Sequence, residues 1–321
     1  MYSEQARAVL RSIGELVEEP LDRAGLLTHI PDFDVLIIRL GHQINREILD
    51  AGARLKVIVT ATTGLDHIDL IYAEQKGIRV LSLRGETEFL RTISATAEHT
   101  WALLLSLLRR IPSAFSSVRA GQWERDRFRG NELNGKRLGL IGLGRIGQKV
   151  ACYGLAFGMS VHAYDPYASE WVDGVVRCAS LPELLSNSDV LSIHVPLNQE
   201  TTGLVGLREF KLLPSGSVLL NTSRADIVDE TALLKSLENG TLSGAALDFI
   251  PDERYVRKRL SSPLLAYVCH HENLLITPHL GGATYESMKK TEIFMAQKLV
   301  TWFKTECEGW KDSHGKEHIN S

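Results

Sequence analysis

The chain has few cysteines and no long apolar run. Its 321 residues include four cysteines, Cys152, Cys178, Cys269 and Cys307, and none of them belongs to a CxxC pair. Cysteines scattered in this way predict reduced thiols and exclude a disulfide framework or a cysteine-based metal site. The longest apolar stretch, residues 101–108, is far too short to span a bilayer. We therefore expect neither a resident metal nor a membrane partner.

An excess of charge of either sign is also absent. The 36 lysines and arginines and the 39 aspartates and glutamates give a net charge of −3, which provides no reason to expect nucleic acid as a partner. The first residues, Met-Tyr-Ser-Glu-Gln-Ala-Arg, lack the apolar core of a signal peptide, so a cytoplasmic location is expected. With 44% hydrophobic and 23% charged residues, the composition is that of an ordinary globular protein. The length predicts about two domains.

The most informative feature that is present is the glycine-rich turn at residues 142–147. It lies between an apolar run that predicts a strand and a segment with a helical pattern. Gly142 allows a tight turn, Gly144 lets the backbone approach a pyrophosphate, and Gly147 lets the helix pack closely on the strand. The helix N-terminus attracts the negative charge of the pyrophosphate. The turn therefore predicts dinucleotide binding.

Asp165 indicates which dinucleotide is bound. It follows the next apolar run, about 20 residues after the glycine-rich turn, where a carboxylate can accept hydrogen bonds from the adenosine ribose hydroxyls. A carboxylate at this position repels the 2′-phosphate of NADP. The sequence therefore predicts NAD as the cofactor.

Apolar runs and helical segments alternate along most of the chain. Strands are predicted at residues 34–39, 55–60, 78–82, 137–141, 160–164, 190–195, 217–221, 244–249 and 273–277, and helices at 45–51, 70–76, 94–108, 114–121, 148–157, 181–186, 230–238 and 285–303. This alternation predicts parallel sheets covered by helices, an α/β fold. Because strands also precede the glycine-rich turn, the cofactor domain is expected in the middle of the chain.

Three ionisable residues, Arg224, Glu253 and His279, follow predicted strands of this middle domain. Open α/β sheets bind ligands at the carboxyl ends of their strands, so all three are expected beside the cofactor. A guanidinium can hold a carboxylate bidentately. A histidine can exchange a proton with an alcohol, and a neighbouring glutamate can orient the imidazole. The set predicts interconversion of a 2-hydroxy acid and a 2-keto acid beside a nicotinamide.

A series of motifs between about Val35 and Met295 resembles those of the D-isomer-specific 2-hydroxyacid dehydrogenase family, most closely its D-3-phosphoglycerate dehydrogenase branch. They are Thr62-Thr-Gly-Leu-Asp-His-Ile-Asp69, Gly121-Gln-Trp-Glu-Arg125 with Phe128 and Gly130, Glu132-Leu-Asn-Gly135, Leu140-Ile-Gly-Leu-Gly-Arg-Ile-Gly147, Tyr164-Asp-Pro166, His194-Val-Pro196, Asn221-Thr-Ser-Arg-Ala-Asp-Ile-Val-Asp-Glu230, Gly244-Ala-Ala-Leu-Asp248 and Thr277-Pro-His-Leu-Gly-Gly282.

The resemblance implies two doubly wound parallel-sheet domains. A flavodoxin-like substrate domain is expected at residues 1–98 and 284–321, with a Rossmann-like NAD domain inserted at residues 99–283. The resemblance also implies a homodimer formed through the cofactor domain, and no regulatory domain is expected.

The resemblance further implies a set of site residues. Catalysis is expected from Arg224, Glu253 and His279. The expected NAD contacts are Gly142, Gly144, Arg145, Ile146, Gly147, Asp165, His194, Val195, Pro196, Thr222, Ser223, Asp248, Gly281 and Gly282. The expected substrate contacts are Arg39, Thr63, Gly64 and Arg84. For His194 a second interpretation stays open, that of a histidine satisfied within the core.

The chain departs from the family pattern in segments that bear on the substrate. Arg254 follows the catalytic Glu253 where the family often has proline, and the segment 83–92 is longer than in phosphoglycerate dehydrogenases. The basic cluster at residues 254–259 either binds a phosphorylated substrate or a partner, or is a solvated helix face. The hydroxy acid therefore stays open between 3-phosphoglycerate, a sugar acid and another pathway-specific acid.

A second function from a different class also stays open. Corepressors that share this fold and keep the same three residues sense NAD(H) without significant turnover. The lack of disordered partner-binding arms and of a basic surface excess favours the enzyme.

Overall fold

The computed structural model describes residues 2–306, which form two compact units. Unit 1 contains residues 2–92 and 284–306, and unit 2 is Ile93–Ala283. The sequence predicts the first boundary at residues 98/99, whereas it lies at 92/93. The difference arises because the helix Ala95–Leu108 packs against strands and helices of unit 2 along its length. The reduced-thiol prediction for Cys307 lies outside the described residues.

Unit 1 is a small three-layer α/β sandwich. Its described elements are α1 (Glu4–Arg11), α2 (Arg23–His29), a 3₁₀ turn (Ile30–Asp32), β1 (Val35–Ile38), α3 (Arg46–Ala51), β2 (Val57–Thr60), α4 (Leu70–Gln75), β3 (Arg79–Leu81), α5 (Thr87–Arg91) and α14 (Tyr285–Glu306). The three parallel strands lie in chain order, β1-β2-β3. This confirms the predicted parallel α/β architecture, although the sheet has fewer strands than the 2-1-3-4-5 order of flavodoxin.

The central strand of unit 1 is buried on both faces. Ile58 packs with residues of α2, α3 and α4, whereas Val57 and Val59 pack with residues of α1 and α14. Side chains alternate between the two faces of a strand, so the apolar run of β2 supplies both cores.

The segment 83–92, which the sequence predicts to be a longer loop than in phosphoglycerate dehydrogenases, contains a helix. Residues 87–91 form the helix α5, whose Leu90 is buried. The Phe89 ring stacks on Phe294 of α14 with 4.0 Å between ring centroids. The Lys298 ammonium lies 2.5 Å from the Glu86 carboxylate just before the helix. The segment is therefore packed and ion-paired within unit 1.

Unit 2 contains the larger sheet. Its elements are α6 (Ala95–Leu108), α7 (Ile111–Arg119), β4 (Arg137–Ile141), α8 (Arg145–Ala156), β5 (Ser160–Tyr164), β6 (Val175–Arg177), α9 (Leu181–Ser186), β7 (Val190–Ile193), α10 (Leu207–Phe210), β8 (Ser217–Asn221), α11 (Glu230–Glu238), β9 (Leu242–Leu247), α12 (Val256–Leu260), α13 (Pro263–Val268) and β10 (Leu274–Ile276), with 3₁₀ turns at Asp126–Phe128 and Ala225–Ile227. All seven strands are parallel, in the order β10-β9-β8-β7-β4-β5-β6.

This strand order is that of the Rossmann fold. From β4, the sheet extends in one direction through β5 and β6 and in the other direction through β7, β8, β9 and β10. Chain order therefore reverses at β4, and ligands bind outside the carboxyl ends of the strands at such a switch point. The glycine-rich turn follows β4 directly. The predicted Rossmann-like domain is confirmed.

Several elements of unit 2 differ from the sequence predictions, which do not include the short helices α10 and α13. The helix α7 begins at Ile111 rather than at residue 114, because Pro112 lies in its first turn, where a missing N–H costs no hydrogen bond. The strand β6 was not predicted. Its three residues are exposed or half-buried, so they produce no clear apolar run.

Two further observations concern the described chain as a whole. No helix within residues 2–306 is long and apolar enough to cross a membrane. Cys152, Cys178 and Cys269 are free thiols, as predicted.

Candidate active site

The glycine-rich turn has the geometry that its sequence predicts. Gly142 has a φ of +92°, a conformation that favours glycine. A Cβ atom on Gly142 would lie 2.7 Å from the His194 carbonyl oxygen, and one on Gly147 would lie 2.2 Å from the Gly142 carbonyl oxygen. A Cβ atom on Gly144 would meet no atom within 4 Å. The first and third glycines are thus required by packing, whereas the second faces open space.

The start of α8 fits a negatively charged ligand. Gly144 is the N-cap, and the first turn carries no acidic side chain. Desolvation lowers the pKa of Arg145, the first residue of the helix, because burial penalises its positive charge. A pyrophosphate would accept hydrogen bonds from the free N–H groups of the helix, and its negative charge would be stabilised by the helix dipole. The residues present therefore fit the diphosphate of a dinucleotide.

Asp165 is held at the end of β5 beside the glycine-rich turn. Its carboxylate accepts hydrogen bonds from the backbone N–H of Leu143 at 2.8 Å and from that of Tyr167 at 2.9 Å. The first bond joins Asp165 to the turn. A carboxylate has about four acceptor positions, so capacity for ribose hydroxyls remains.

His194 and Val195 lie against the glycine-rich turn, directly after β7. The backbone N–H of His194 donates to the Ile141 carbonyl at 2.8 Å, and a Val195 methyl group lies 2.8 Å from the position of a Cβ on Gly142. Nε2 of His194 lies 2.8 Å from the Ser192 hydroxyl. Desolvation of the ring lowers the pKa of His194 to about 3, so the imidazole is neutral near pH 7. It is thus a hydrogen-bonded histidine adjoining the turn, and both interpretations of it stay open.

Thr222 and Ser223 follow β8. The Thr222 hydroxyl is buried and lies 2.8 Å from that of Thr100 on α6. The Ser223 hydroxyl donates to the Ile193 carbonyl at 3.0 Å. Both side chains therefore tie the end of β8 to neighbouring elements. Their predicted NAD contacts, and those of Ile146, Pro196 and Gly282, stay predictions.

His279 and Glu253 form a close pair. Nδ1 of the imidazole lies 2.6 Å from the Glu253 Oε1, and both side chains are about one-fifth exposed. Because the carboxylate accepts, Nδ1 carries the proton and Nε2 presents its lone pair. Within residues 93–283, Nε2 has no hydrogen-bond partner. This is the arrangement that general acid–base chemistry at Nε2 requires.

Arg224 joins this pair through an aromatic residue that the sequence analysis missed. The Arg224 Cζ lies 5.7 Å from the centroid of the Phe249 ring, and the His279 imidazole meets the same ring at 4.3 Å and 84°. The three predicted catalytic residues are therefore brought together at the ends of β8, β9 and β10. Phe249 directly follows the Asp248 motif residue, but an apolar residue after a strand carries no signal of a site.

Asp248 is fully buried and holds the segment that carries His279. Its carboxylate accepts hydrogen bonds from the backbone N–H groups of Leu280 and Gly281, both at 2.7 Å, and from the Thr277 hydroxyl at 2.6 Å. Burial raises the pKa of Asp248, but hydrogen bonds, first those from His99 and Thr277, outweigh it and lower the pKa overall. The predicted NAD contact of Asp248 stays a prediction, whereas its structural role is visible.

The backbone of His279 is itself unusual. Its φ is +58°, in the left-handed region that disfavours side chains with a Cβ atom. The His279 N–H donates to the Asp248 carbonyl at 3.0 Å. The Asp248 network therefore stabilises a strained conformation, which is common at functional sites.

Three of the predicted substrate contacts lie together in unit 1. The exposed Arg84 donates through Nε to the Thr63 carbonyl at 3.4 Å. The Thr62 hydroxyl donates to the Gly64 carbonyl at 2.8 Å, which closes the turn after β2. Arg84 is thus tied to the Thr63–Gly64 turn.

Arg39, the fourth predicted substrate contact, has partners within unit 1. Its guanidinium pairs with the buried carboxylate of Glu292 on α14 and lies 5.5 Å from the centroid of the Tyr2 ring. Burial raises the pKa of Tyr2 to about 12. Arg39 therefore links β1, α14 and the N-terminal segment, and its substrate contact stays a prediction.

The basic cluster 254–259 forms the exposed helix α12 and its approach. Lys258 pairs with Asp252 at 2.8 Å, and Arg259 donates to the Glu253 carbonyl at 3.3 Å. These contacts connect α12 to the backbone of a proposed catalytic residue. They leave open both interpretations of the cluster.

Comparison with known protein sequences identifies the family. The sequence model of the "D-isomer specific 2-hydroxyacid dehydrogenase, NAD binding domain" matches residues 101–281. D-3-phosphoglycerate dehydrogenase of Methanocaldococcus jannaschii is 36% identical over 300 residues, which cover 92% of this chain and 55% of that protein. Hydroxypyruvate reductase of Thermotoga maritima is 36% identical over 288 residues, 89% of this chain and 90% of that protein. The chain spans about half the length of the phosphoglycerate dehydrogenases it matches.

Solved structures agree with this assignment. D-lactate dehydrogenase of Aquifex aeolicus, complexed with NAD and lactic acid, superimposes with a TM-score of 0.75 and 31% identity over 91% of this chain and 90% of that chain. The match to the NAD-binding domain family also confirms NAD as the cofactor expected from Asp165 and the glycine-rich turn. The chain belongs to the D-isomer-specific 2-hydroxyacid dehydrogenase family.

Proposed function

We propose that the protein is an NAD-dependent oxidoreductase that interconverts a D-2-hydroxy acid and the corresponding 2-keto acid. The observation that carries the proposal is the pair of His279 and Glu253, 2.6 Å apart and joined to Arg224 through Phe249. This group lies at the carboxyl ends of β8, β9 and β10 in the NAD-binding unit. We place the activity in the cytoplasm, where reducing conditions keep scattered cysteines as thiols.

Each catalytic residue has one role in the oxidation direction. Arg224 binds the substrate carboxylate, since its guanidinium stays charged and matches the two oxygens. His279 takes the hydroxyl proton at Nε2, the nitrogen that Glu253 leaves available. Glu253 keeps Nδ1 protonated and compensates the positive charge of the imidazolium that results. In the reduction direction His279 returns the proton to the carbonyl oxygen.

The cofactor is held by the residues around the glycine-rich turn. The N-terminus of α8 with Gly144 and Arg145 would hold the diphosphate, and Asp165 would bind the adenosine ribose. When bound, NAD supplies the acceptor for the hydride that leaves C2 of the hydroxy acid.

The substrate that we propose is a small 2-hydroxy or 2-keto acid. Thr63, Gly64 and Arg84 are the proposed contacts in unit 1, supported by the hydrogen bond between Arg84 and Thr63, and Arg39 is a further candidate. The relatives are named for 3-phosphoglycerate and hydroxypyruvate, so phosphorylated and unphosphorylated three-carbon acids are the first to test.

The decisive experiment is NADH oxidation with a panel of 2-keto acids, including pyruvate, glyoxylate, hydroxypyruvate and 3-phosphohydroxypyruvate. Turnover is expected with at least one of them. His279→Gln is expected to lower kcat by roughly 10²–10⁴-fold, the usual range for a general acid–base group. The dissociation constant for NADH, measured by fluorescence, should not change.

The control for this experiment is His270→Gln, which changes an exposed histidine of the same unit. It should keep full activity. Binding of NADH without turnover of any acid would contradict the proposal and favour an NAD(H)-sensing binding protein.

We also propose that the protein is a homodimer formed through the face of α7. Ile111, Phe115 and Val118 recur at helical spacing on α7 and are 50%, 62% and 50% exposed, and Trp123 shortly after the helix is 87% exposed. Exposed apolar patches of this kind mark protein interfaces. Sedimentation analysis should show a dimer that Phe115→Asp dissociates, whereas Val176→Asp on the edge strand β6 leaves it intact. A monomeric wild-type protein would contradict this proposal.

A further inference from the structure

Phe249 occupies a position that sheet topology places between two catalytic residues. The strand β9 lies between β8 and β10, and the last residues of all three strands are level with one another, since Leu247 pairs with both Asn221 and Ile276. Arg224 and His279 lie three residues beyond the ends of the outer strands. Phe249 lies two residues beyond the end of the central strand.

The Phe249 ring contacts both neighbours through its aromatic character. The Arg224 Cζ lies over the ring, 5.7 Å from its centroid, within the range of cation–π attraction. The His279 imidazole meets the ring edge-on at 4.3 Å and 84°, an arrangement that aromatic pairs prefer. Phe249 is only 6% exposed, so solvent weakens neither contact much.

We infer that Phe249 is a positioning residue that orients the side chains of Arg224 and His279 relative to each other. This inference rests on the proposed function. The guanidinium must contact the carboxylate of the hydroxy acid while the imidazole contacts its hydroxyl. The carboxylate carbon and the carbon that carries the hydroxyl are adjacent in the substrate. One ring in contact with both side chains sets the separation and tilt that such a small substrate demands.

The contribution of the ring is separable from that of the surrounding backbone. The His279 backbone is held by Asp248, whose carbonyl accepts its N–H at 3.0 Å and whose carboxylate accepts from Leu280 and Gly281. The Arg224 carbonyl accepts from the Asn221 side chain at 2.7 Å. Outside the ring, the His279 imidazole is bound to Glu253 at 2.6 Å and the Arg224 guanidinium donates to the Ser223 carbonyl at 2.7 Å. Replacement of the ring therefore leaves both main-chain segments and these two bonds in place and removes the one contact that the two side chains share.

Three variants test the inference. Phe249→Leu keeps an apolar side chain but removes the aromatic face, and Phe249→Tyr keeps the ring. Phe210→Leu is the control, because Phe210 is a fully buried phenylalanine of the same unit on α10. Kinetics with the best keto acid of the panel, NADH affinity and thermal unfolding are measured for each.

Phe249→Leu is expected to lower kcat/KM for the keto acid by about 10-fold or more, the combined scale of one cation–π and one aromatic contact. Both kcat and KM should change, because a less well positioned Arg224 raises KM and a less well positioned His279 lowers kcat. The NADH dissociation constant should stay the same. Phe249→Tyr should retain activity, and Phe210→Leu should lower the unfolding temperature without changing kcat or KM.

Two outcomes would overturn the inference. One is wild-type kinetics in Phe249→Leu. The other is an equal loss in Phe249→Leu and Phe249→Tyr, which would mean that the ring is not what matters. If the wild-type protein turns over no acid, the proposed function fails, and crystal structures of the wild-type and Phe249→Leu proteins still decide the inference. Displaced Arg224 and His279 side chains would support it, and unchanged side chains would contradict it.

Discussion

Nδ1 of His279 lies 2.6 Å from Oε1 of Glu253, although 26 residues separate them in the chain. The pair forms because β9 and β10 are neighbours and parallel, so the segments that follow them leave the sheet at the same edge. The carboxylate occupies one ring nitrogen and directs the other away from it. The pair thus defines which atom of the imidazole is available to a substrate.

Glu253→Gln should remove the negative charge of this side chain while it keeps an oxygen in the same position. The amide oxygen still accepts from Nδ1, but it no longer compensates the imidazolium that forms when His279 takes a proton. We expect kcat to fall by about 10²-fold, the lower end of the range for acid–base groups, with unchanged NADH affinity. Steady-state kinetics checks this, with Glu238→Gln, an exposed glutamate of the same unit, as control. Wild-type kcat in Glu253→Gln would refute the role.

Substitution by alanine should have different effects at Gly144 and at Gly147 of the glycine-rich turn. Gly144→Ala should unfold at the wild-type temperature, because its Cβ meets nothing within 4 Å, yet it should weaken NADH binding by occupying the approach of the diphosphate. Gly147→Ala should destabilise the protein by about 1–3 kcal/mol, the usual cost of overpacking, since its Cβ would lie 2.2 Å from a carbonyl oxygen. Thermal unfolding and NADH fluorescence distinguish the two. Unaltered NADH affinity in Gly144→Ala would contradict the proposed diphosphate position.

Asp165 should control the choice between NAD and NADP. Asp165→Asn keeps an acceptor for the Leu143 N–H and so preserves the turn, but it removes the negative charge that repels a 2′-phosphate. We expect NADH affinity to fall roughly 10-fold or more, the scale of a lost charged hydrogen bond. The relative efficiency with NADPH should rise. Parallel kinetics with both cofactors measures the ratio, and a ratio equal to that of the wild type would count against the assignment.

His194 should make stability depend on pH. Its pKa is lowered from 6.5 to about 3 in the folded protein, so the folded state binds the proton less readily than the unfolded state. The contribution to stability is complete above pH 6.5 and is lost as pH falls toward 3, by up to about 1.4 kcal/mol per pH unit. Urea unfolding at pH 7.5 and pH 5 should show a larger decrease for the wild type than for His194→Gln. Equal decreases would show that His194 does not contribute.

The parts of the fold that were predictable are those encoded over short distances. The glycine-rich turn, Asp165 and the apolar strands of unit 2 are read from residue types and from spacing within about 25 residues. The predictions omit the helices α1, α2, α10 and α13. They also omit β6, whose residues are not fully buried, and α5, whose Leu90 and Phe89 obtain their partners from α14 near the other end of the chain. A local pattern cannot include a partner some 200 residues away.

In the candidate site, too, only the residues with a local sequence signal could be predicted. Arg224, Glu253 and His279 could be chosen because each is an ionisable residue after a predicted strand. Phe249 could not, because an apolar residue at a strand end is typical of any core. Its significance depends on which strands flank β9, and strand order is a property of the assembled sheet.

The amino-acid sequence alone is enough to assign the family, the cofactor and the chemical types of the proposed catalytic residues, because contiguous motifs carry this information. The folded chain adds that Asp248 is buried and holds the His279 segment, and that one aromatic ring contacts both Arg224 and His279. These contacts arise because β8, β9 and β10 bring together chain segments up to 55 residues apart, from Arg224 to His279. Contacts between neighbouring strand ends exist only after the sheet has formed.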